Sequence, residues 1–404
     1  MKKFVYKAKH GPEEIVEGRI VAASAEDAVA RLSEKGYTAT SVEEEAEGGV
    51  GPRYNWRCLF GVRERELILF ARQLTTLLKS GVPMLRALNM LSGQTTDRYF
   101  SHVISDMADK IKNGQSLSAV MMDYPRIFSS FFTAMVRSGE DSGALDKSLA
   151  RVSAYYLKQS QLISKVKSAM AYPVLVLIVG ILTILFVFTN VMPRILPLLL
   201  NLNTGLPLPT KILISMSTFT RNNWFWIVLG IIIFILIFKR AVNNRIFRRY
   251  ISIFKLNVPV FGALIFKSEL ARFTRALEVS LQNGIPIINA IGISLPILNE
   301  DVISSRLRSG LKGLETGESV STTFKNTGIF PSFALNLINV GEESGNLTEV
   351  LAEIAETFEA DCADAINTMT VLLEPVMVLV IGLVVGFIVS AVLLPIFHLN
   401  ITQM

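Results

Sequence analysis

The sequence predicts a mainly α-helical membrane protein with a small α/β N-terminal module, two repeated cytoplasmic six-helix bundles and three transmembrane helices. Three observations lead to this fold class. Half of the 404 residues are hydrophobic and 18% are charged, below the roughly 25% of an average soluble protein. Three long apolar runs interrupt sequence that is otherwise rich in charge, and one long segment occurs twice. The composition excludes disordered, collagen-like and coiled-coil proteins.

Residues 1–50 form the predicted α/β module. Apolar and polar residues alternate, as in short strands, over residues 3–9, 15–21 and 37–42. Ser24 is a predicted N-cap that opens a helix running to about Glu34. Because fifty residues of this kind are marginally stable alone, we expect an adaptor that docks on another surface. Residues 51–66 are the predicted linker that follows.

Residues 173–192, 224–238 and 375–394 are the three apolar runs. The first and third match the ~20 residues that cross a hydrocarbon core of about 30 Å. The second run has a helical length of only about 22 Å, so a buried core helix is the alternative reading. Trp224 and Trp226 at one end and the basic residues after Phe238 at the other favour a span.

The basic residues flank the apolar runs and therefore indicate membrane orientation rather than nucleic-acid binding. The positive-inside rule places residues 1–172 and 239–374 in the cytoplasm, the latter opening with a basic connector over 239–267. The segments predicted outside are a loop over 193–223 and a tail over 395–404. The N-terminus is then cytoplasmic, and the chain opens without the apolar region of a cleaved signal peptide.

Residues 67–172 and 268–374 are two copies of one helical domain, each followed by an apolar run. Phe70–Leu74 aligns with Phe273–Leu277, and one insertion later the Gly-Glu-x-Ser-Gly segments align. Chance is an implausible source of a match this long. The aligned positions singled out here are Gly81 with Gly284, Pro83 with Pro286, Gly114 with Gly317, Gly139 with Gly341, Glu140 with Glu342, Gly143 with Gly345, and Pro173 with Pro375.

The helical period and its breaks predict about six helices in each copy. Gly81 ends a helix and Pro83 begins the next, while Gly114 marks a further break. Ser116 and its equivalent Ser319 are expected N-caps.

The two Gly-Glu-x-Ser-Gly segments are predicted to be turns between helices. Gly139 and Gly341 are expected to end one helix, and Gly143 and Gly345 to open a long helix that runs to the membrane. A phosphate-binding loop is disfavoured because the acids would repel phosphate. A contact between these acids and a partner stays open.

No motif for enzymatic chemistry occurs in the chain. It has no nucleotide-binding lysine motif, no nucleophile elbow and no metal-binding histidine pair. The apolar runs contain no ionisable residue, although Glu374 flanks the third, and this argues against conduction. Two cysteines, Cys58 and Cys362, are too few for a disulfide scaffold. We therefore predict a scaffold without cofactor or metal. A parallel-repeat membrane transporter, suggested by the duplication alone, is the alternative.

Taken together, these features resemble the type II secretion F-protein family, which includes the PilC platform proteins of type IV pili. The matching segments are Phe4–Ala8, Arg72–Leu74 with Ser80–Pro83, both Gly-Glu-x-Ser-Gly turns, Ala169–Pro173, Leu206–Thr210 and Leu373–Pro375. Each motif is weak alone, but their order, the duplication and the positions of the three runs are specific together.

The resemblance implies a non-catalytic platform in the bacterial inner membrane, with a periplasmic C-terminus. Its implied partners are a hexameric assembly ATPase, pilin or pseudopilin transmembrane helices, other inner-membrane components and further copies of itself. Similar proteins bind calcium through acids on the helix after the first turn. Because Ala150 and Ala154 stand at those positions here, no metal site is carried over. Secretion and pilus assembly both remain open.

Two partner surfaces are predicted from charge and side-chain size. Residues 67–172 carry 13 basic and 7 acidic residues, whereas 268–374 carry 6 and 15. This asymmetry predicts that the first copy meets the ATPase, near Lys110 and Lys112, or that the two copies pair with each other. In the third run, Gly382 and Gly386 form a small-xxx-small stripe on which a second helix can pack closely.

Overall fold

The computed structural model describes residues 2–10, 14–22, 27, 29, 33, 38–44, 62–194, 207–242, 245–258 and 261–402. The chain divides into two compact units, Met1–Gly61 and Val62–Met404.

The described residues of the first unit form three strands. They are β1 (Lys2–His10), β2 (Glu14–Ala22) and β3 (Thr38–Glu44). Both pairings are antiparallel and the sheet order is β2-β1-β3, so the first strand is central. These strands lie where the sequence alternates between apolar and polar residues. Of the predicted helix, Asp27, Val29 and Ser33 are helical, and its other residues lie outside the described ones.

The first repeat has six α-helices within residues 62–194, as the sequence predicts. They are α1 (Glu64–Lys79), α2 (Met84–Gln94), α3 (Arg98–Lys112), α4 (Leu117–Met122), α5 (Ser130–Asp141) and α6 (Leu145–Phe186). A π-helical turn, Val187–Val191, extends α6.

Two helices connect the repeats. They are α7 (Leu208–Val242), which is kinked at Asn223, and α8 (Arg245–Asn257). The second repeat then has six α-helices within residues 261–402. They are α9 (Phe261–Gln282), α10 (Ile287–Ser294), α11 (Asp301–Glu315), α12 (Val320–Thr327), α13 (Ser332–Ser344) and α14 (Leu347–Thr402). A short 3-10 turn, Leu295–Ile297, follows α10.

The domain boundaries expected from hydropathy do not coincide with helix ends. α6 passes through Pro173 without a break, and α14 passes through Pro375 and continues to Thr402. α7 begins at Leu208, so residues 208–223 of the expected external loop are helical. Hydropathy marks where the solvent changes along a helix, whereas the backbone hydrogen bonding is the same on both sides of that point.

Two helices of the described chain are long and apolar enough to cross a membrane, within Leu145–Arg194 and Leu347–Leu394. A third is possible by composition if Phe247–Asn257 and Phe261–Gln282, bent by 110°, are one span. The packing argues against that pair as a span. α9 buries Glu269, Arg275 and Glu278, and it packs on α14 and α10 of its own repeat, on α8, and on α6 of the first repeat.

Each repeat has its own hydrophobic core, and one pair of aromatic rings recurs in both cores. Phe70 lies 6.2 Å from Phe128 between ring centroids, and the equivalent Phe273 lies 6.3 Å from Phe330. The cores also meet, because Ala276 and Val279 of the second repeat belong to the first core. In return, the middle of α6 packs on the second core. The two repeats are therefore joined by apolar burial, which removes both surfaces from water.

Candidate functional site at the junction of the repeats

The glutamates of the two Gly-Glu-x-Ser-Gly segments cap helices inside their own repeats. Leu117 and Ser118 donate their backbone N–H groups to the Glu140 carboxylate at 2.6 and 3.1 Å. Val320 and Ser321 donate to Glu342 in the same way, at 2.7 and 3.1 Å. A carboxylate at a helix N-terminus satisfies free donors and meets the positive end of the dipole. These two acids are thus committed to the fold.

Serine N-caps complete both helix starts, as predicted. Ser116 accepts from the Ala119 N–H at 3.2 Å, and Ser319 accepts from the Thr322 N–H at 3.2 Å. The second acid of each segment, Asp141 or Glu343, is exposed.

Gly139 and Gly341 do not end their helices, contrary to the sequence prediction. α5 continues to Asp141 and α13 to Ser344. A Cβ atom on Gly139 would lie 2.6 Å from the Ser148 Cβ, and one on Gly341 would lie 3.0 Å from the Val350 Cβ. Glycine is needed here because the next helix crosses closely, not because the chain turns.

The turns are made by other glycines of the predicted set. Gly143 and Gly345 have φ of 67° and 76° and precede the long helices α6 and α14. Positive φ also occurs at Gly81, Gly284, Gly114 and Gly317. Pro83 and Pro286 are the N-cap residues of α2 and α10.

Lys110, predicted at a partner surface, is about one-third exposed and forms ion pairs within the first repeat. Its Nζ lies 2.9 Å from carboxylate oxygens of both Asp106 and Asp123, and 5.2 Å from the centre of the Tyr124 ring. The Tyr124 hydroxyl donates to Asp106, and this bond together with Lys110 lowers the pKa of Asp106. Burial, with that hydrogen bond, raises the pKa of Tyr124 to about 12. Lys112 is exposed at the end of α3.

Polar contacts join the first repeat to the end of α9. The Ser138 hydroxyl donates to the Asn283 carbonyl at 2.7 Å. The Arg151 guanidinium donates to the Gln282 carbonyl at 2.8 Å and to the Asn283 side-chain oxygen at 3.0 Å. These donors come from α5 and α6, so both helices that flank the first Gly-Glu-x-Ser-Gly turn bind the second repeat.

A buried ion cluster lies beside these contacts. Arg275 donates to both carboxylate oxygens of Glu359, at 2.8 and 3.0 Å, and lies 3.5 Å from Glu278. Lys158 of the first repeat reaches the same Glu359 at 3.3 Å. Burial raises the pKa of Glu278, and the Arg275 charge opposes that shift. Glu359 is therefore shared by a cation from each repeat.

A cavity of about 510 Å³ opens between α6, α8, α9 and α14 next to the cluster. Its apolar wall includes Leu162, Val166 and Leu264, and its charged wall includes Arg272 and Glu269. Glu269 is buried with its pKa raised by desolvation, and it accepts from the Asn299 N–H at 2.8 Å. Among the described residues, no group of three or more His, Cys, Asp or Glu is placed to hold a metal ion.

No sequence motif predicts the junction. Arg275 entered the sequence alignment only as the counterpart of Arg72, and Glu359 was one of many acids on a predicted helix. The available signal was the spacing of Glu269, Arg272, Arg275 and Glu278, which places charges every three residues along an otherwise apolar helix.

The predicted residues at the first and third apolar runs lie on the two long helices. Pro173 is buried, whereas Glu374 and Pro375 are exposed. Cβ atoms built at Gly382 and Gly386 would meet no atom within 4 Å, so this stripe is open in the single chain. At the other end of the spans, Thr210 of α7 donates to the Ala391 carbonyl at 2.6 Å.

Comparison with known families gives matches that follow the duplication. The model described as "Type II secretion system (T2SS), protein F" matches residues 70–193 and again residues 273–395. The model described as "Type II secretion system protein F, N-terminal domain" matches residues 1–43.

Similar curated proteins carry two kinds of name. A type IV pilus assembly protein PilC from Thermus thermophilus is 29% identical, over 99% of this chain and 98% of the relative. A type II secretion system protein F from Xanthomonas campestris is 31% identical, over 99% of each chain. A PilC protein from Pseudomonas aeruginosa is 28% identical, over 84% of this chain and 91% of the relative.

Proposed function

Since the chain belongs to the type II secretion system protein F family, we propose that it couples a cytoplasmic assembly ATPase to the insertion of pilin or pseudopilin subunits. As a family member it is an inner-membrane platform protein of a secretion or pilus machine and not an enzyme. Its specific partners are part of the proposal.

The observation that carries this proposal is the continuity of the two long helices. α6 has 42 residues and α14 has 56, and each belongs to a soluble bundle at one end and to an apolar span at the other. At 1.5 Å per residue these helices extend about 60 and 80 Å. A movement imposed on a bundle is transmitted along a continuous helix, whereas a flexible linker absorbs it.

The junction supports coupled movement of the two bundles. Apolar packing, the Glu359 ion cluster and the Arg151 contacts hold them together. A partner that moves one bundle therefore moves the helices of both repeats. The excess of basic residues in the first repeat supports that repeat as the ATPase-binding one, through exposed positions such as Lys112.

The proposed topology has three spans, a cytoplasmic N-terminus and a periplasmic C-terminus. The second span is the part of α7 after the kink at Asn223, over the apolar run 224–238. Trp224, Phe225 and Trp226 at its start are 58–67% exposed, which suits a lipid contact at the outer interface. In this topology the α/β module of residues 1–50 lies in the cytoplasm. It acts as an adaptor that binds other components of the machine.

The coupling is tested by breaking α6 between its bundle and its apolar run. We expect three glycines inserted between Ala169 and Met170 to abolish fibre or pseudopilus output. Membrane insertion and co-purification of the ATPase and pilins should persist. The control is the same insertion after Thr96, in the exposed loop between α2 and α3. Normal output from the α6 insertion would reject the coupling role, and substrate uptake into vesicles without an ATPase would favour a transporter.

A further inference from the structure

The helix α8 presents an aromatic face that is largely exposed in the described chain. Phe247, Tyr250 and Phe254 follow one another at spacings of three and four residues and are 38%, 69% and 72% exposed. Exposing several large aromatic side chains to water costs free energy, because each has a large apolar area that burial would remove from water.

The opposite face of α8 is fixed to the second repeat. Arg248 forms a two-pronged ion pair with Asp301 at the start of α11, and Lys255 lies 3.2 Å from Glu300. Ser252, between these two on the same face, is 1% exposed. The orientation of the aromatic stripe is therefore set by specific contacts on the other side of the helix.

Two observations locate the stripe at the cytoplasmic end of the proposed second span. The ring of Phe238, the last residue of the apolar run, lies 6.3 Å from the ring of Phe247. Only two residues separate the end of α7 at Val242 from the start of α8 at Arg245. The stripe therefore lies close to the end of that run.

The charges that the connector itself carries have one sign. Residues 239–267 contain seven basic residues and no acid. Lys239, Arg240 and Arg249 are exposed. Cations beside an aromatic face are the arrangement of helices that lie in the interface of an anionic membrane.

We propose that α8 is an interfacial helix that inserts Phe247, Tyr250 and Phe254 among anionic phospholipid headgroups. Arg249, Lys239 and Arg240 supply the charge contacts to those headgroups. Through Arg248 and Lys255, the helix ties the second repeat to the inner leaflet at a fixed depth. The proposal goes beyond the coupling role, and it rests on the proposed second span.

The test uses the full-length protein in nanodiscs, with Cys58→Ser and Cys362→Ala as background. A fluorophore is placed on Phe254→Cys, on Ile233→Cys within the apolar run, or on Met122→Cys in the first repeat. Ile233 and Met122 are 45% and 55% exposed. Quenchers are spin-labelled phospholipids and aqueous iodide.

We expect lipid-borne quenching at residue 254 to exceed that at residue 122 several-fold, and iodide quenching to show the reverse order. If each quencher acts equally on the labels at residues 254 and 122, the proposal that α8 is an interfacial helix is wrong. The label at residue 233 reports the span by itself. If it is quenched by lipid while residue 254 is not, the span stands and the α8 proposal fails.

The charge contacts are tested by adding phosphatidylglycerol to phosphatidylcholine nanodiscs. Lipid quenching at residue 254 should rise with the anionic lipid, and Arg249→Glu should remove most of that rise. Arg308→Glu on α11, also exposed, is the matched control and should leave it intact. If lipid does not quench the label at residue 254, and the unlabelled Phe254→Cys protein forms a disulfide between two copies, then a second chain covers the stripe. That result would overturn the proposal.

Discussion

The same arginine occupies two different environments in the two repeats. Arg72 on α1 is exposed and lines a shallow groove with Leu69 and Met90. Its counterpart Arg275 on α9 is 8% exposed and is surrounded by Glu359 and Glu278. The helices are equivalent in sequence, so the difference comes from what covers them. α9 packs on α6 of the first repeat and on α8 as well as on helices of its own repeat, whereas the main contacts of α1 are with α6 and α2 of its own repeat.

The two copies are alike in their interiors and differ on their exteriors. The helix caps, the turn glycines and one aromatic pair of the core match between copies. The ion cluster has no counterpart, because Leu157 stands where the second repeat has Glu359. Differences between the copies therefore identify surfaces that have acquired separate tasks.

The largest expected effect is from Arg275→Ala. It leaves Glu359 and Glu278 without their main cation, and removing one partner of a buried pair costs about 3 kcal/mol or more. Arg72→Ala, at the exposed equivalent, should change the free energy of unfolding by less than about 0.5 kcal/mol. Thermal unfolding of the detergent-solubilised protein compares the two. Equal shifts would mean that the cluster does not stabilise the junction.

Substitution of the close-packed glycines ranks next. Gly139→Ala places a Cβ atom 2.6 Å from the Ser148 Cβ, and Gly341→Ala places one 3.0 Å from the Val350 Cβ. Overpacking of this kind costs about 1–3 kcal/mol, so both variants should lower the melting temperature, and Gly139→Ala more. Gly93→Ala is the control, because its Cβ meets nothing within 4 Å. If all three variants melt alike, the helix crossings are looser than described.

The two glutamate caps should respond equally, because their geometry is the same in both repeats. Glu140→Gln and Glu342→Gln each keep one acceptor and lose the charge at a helix N-terminus. We expect a loss of about 1 kcal/mol for each. Asp141→Asn, at an exposed acid beside the first cap, should have little effect. Unequal losses at the two caps would break the equivalence of the repeat interiors.

The sequence predicted the repeat, its helix count and its serine caps because these depend on residues close together in the chain. Ser116 and Ser319 needed only the turn that follows them. The roles of Glu140 and Glu342 required knowing that residues more than twenty positions earlier return to the same point. The ion pair of Lys110 with Asp123 needed the same knowledge, since Asp123 approaches from the end of the next helix. Contacts between repeats, such as Lys158 with Glu359, leave no local pattern to read.

Acid should affect the two repeats in opposite directions. The pKa of Asp106 in the first repeat is lowered, so its contribution to stability is present above its unfolded pKa and is lost as pH falls through the folded value. The pKa of Glu278 in the second repeat is raised by burial, so its ionisation costs stability at neutral pH. That cost is relieved as pH falls through the folded pKa towards the unfolded value near 4.5.

Melting temperatures of Asp106→Asn and Glu278→Gln, measured against the parent protein over a pH series, check these signs. On acidification, the parent should lose its advantage over Asp106→Asn and should gain relative to Glu278→Gln. A parallel trend for both variants would contradict this prediction, because it would place the two carboxylates in similar surroundings.

The smallest effect on the isolated chain, and the sharpest test of the two spans, is expected from Gly386→Ile. The first span has Ile184 at the matching position, so the substitution makes the two spans alike. A Cβ at Gly386 meets nothing within 4 Å, and the melting temperature should stay unchanged. If a neighbouring helix packs on the Gly382–Gly386 stripe, bulk at this position prevents the close approach and weakens assembly. Cysteine crosslinking along this face, between copies or to a pilin helix, should fall while membrane insertion persists.

Gly180→Ile on the first span, also open in the single chain, is the matched control and should leave crosslinking intact. Unaltered crosslinking and fibre or secretion output in Gly386→Ile would show that the glycines only reflect the usual composition of membrane helices.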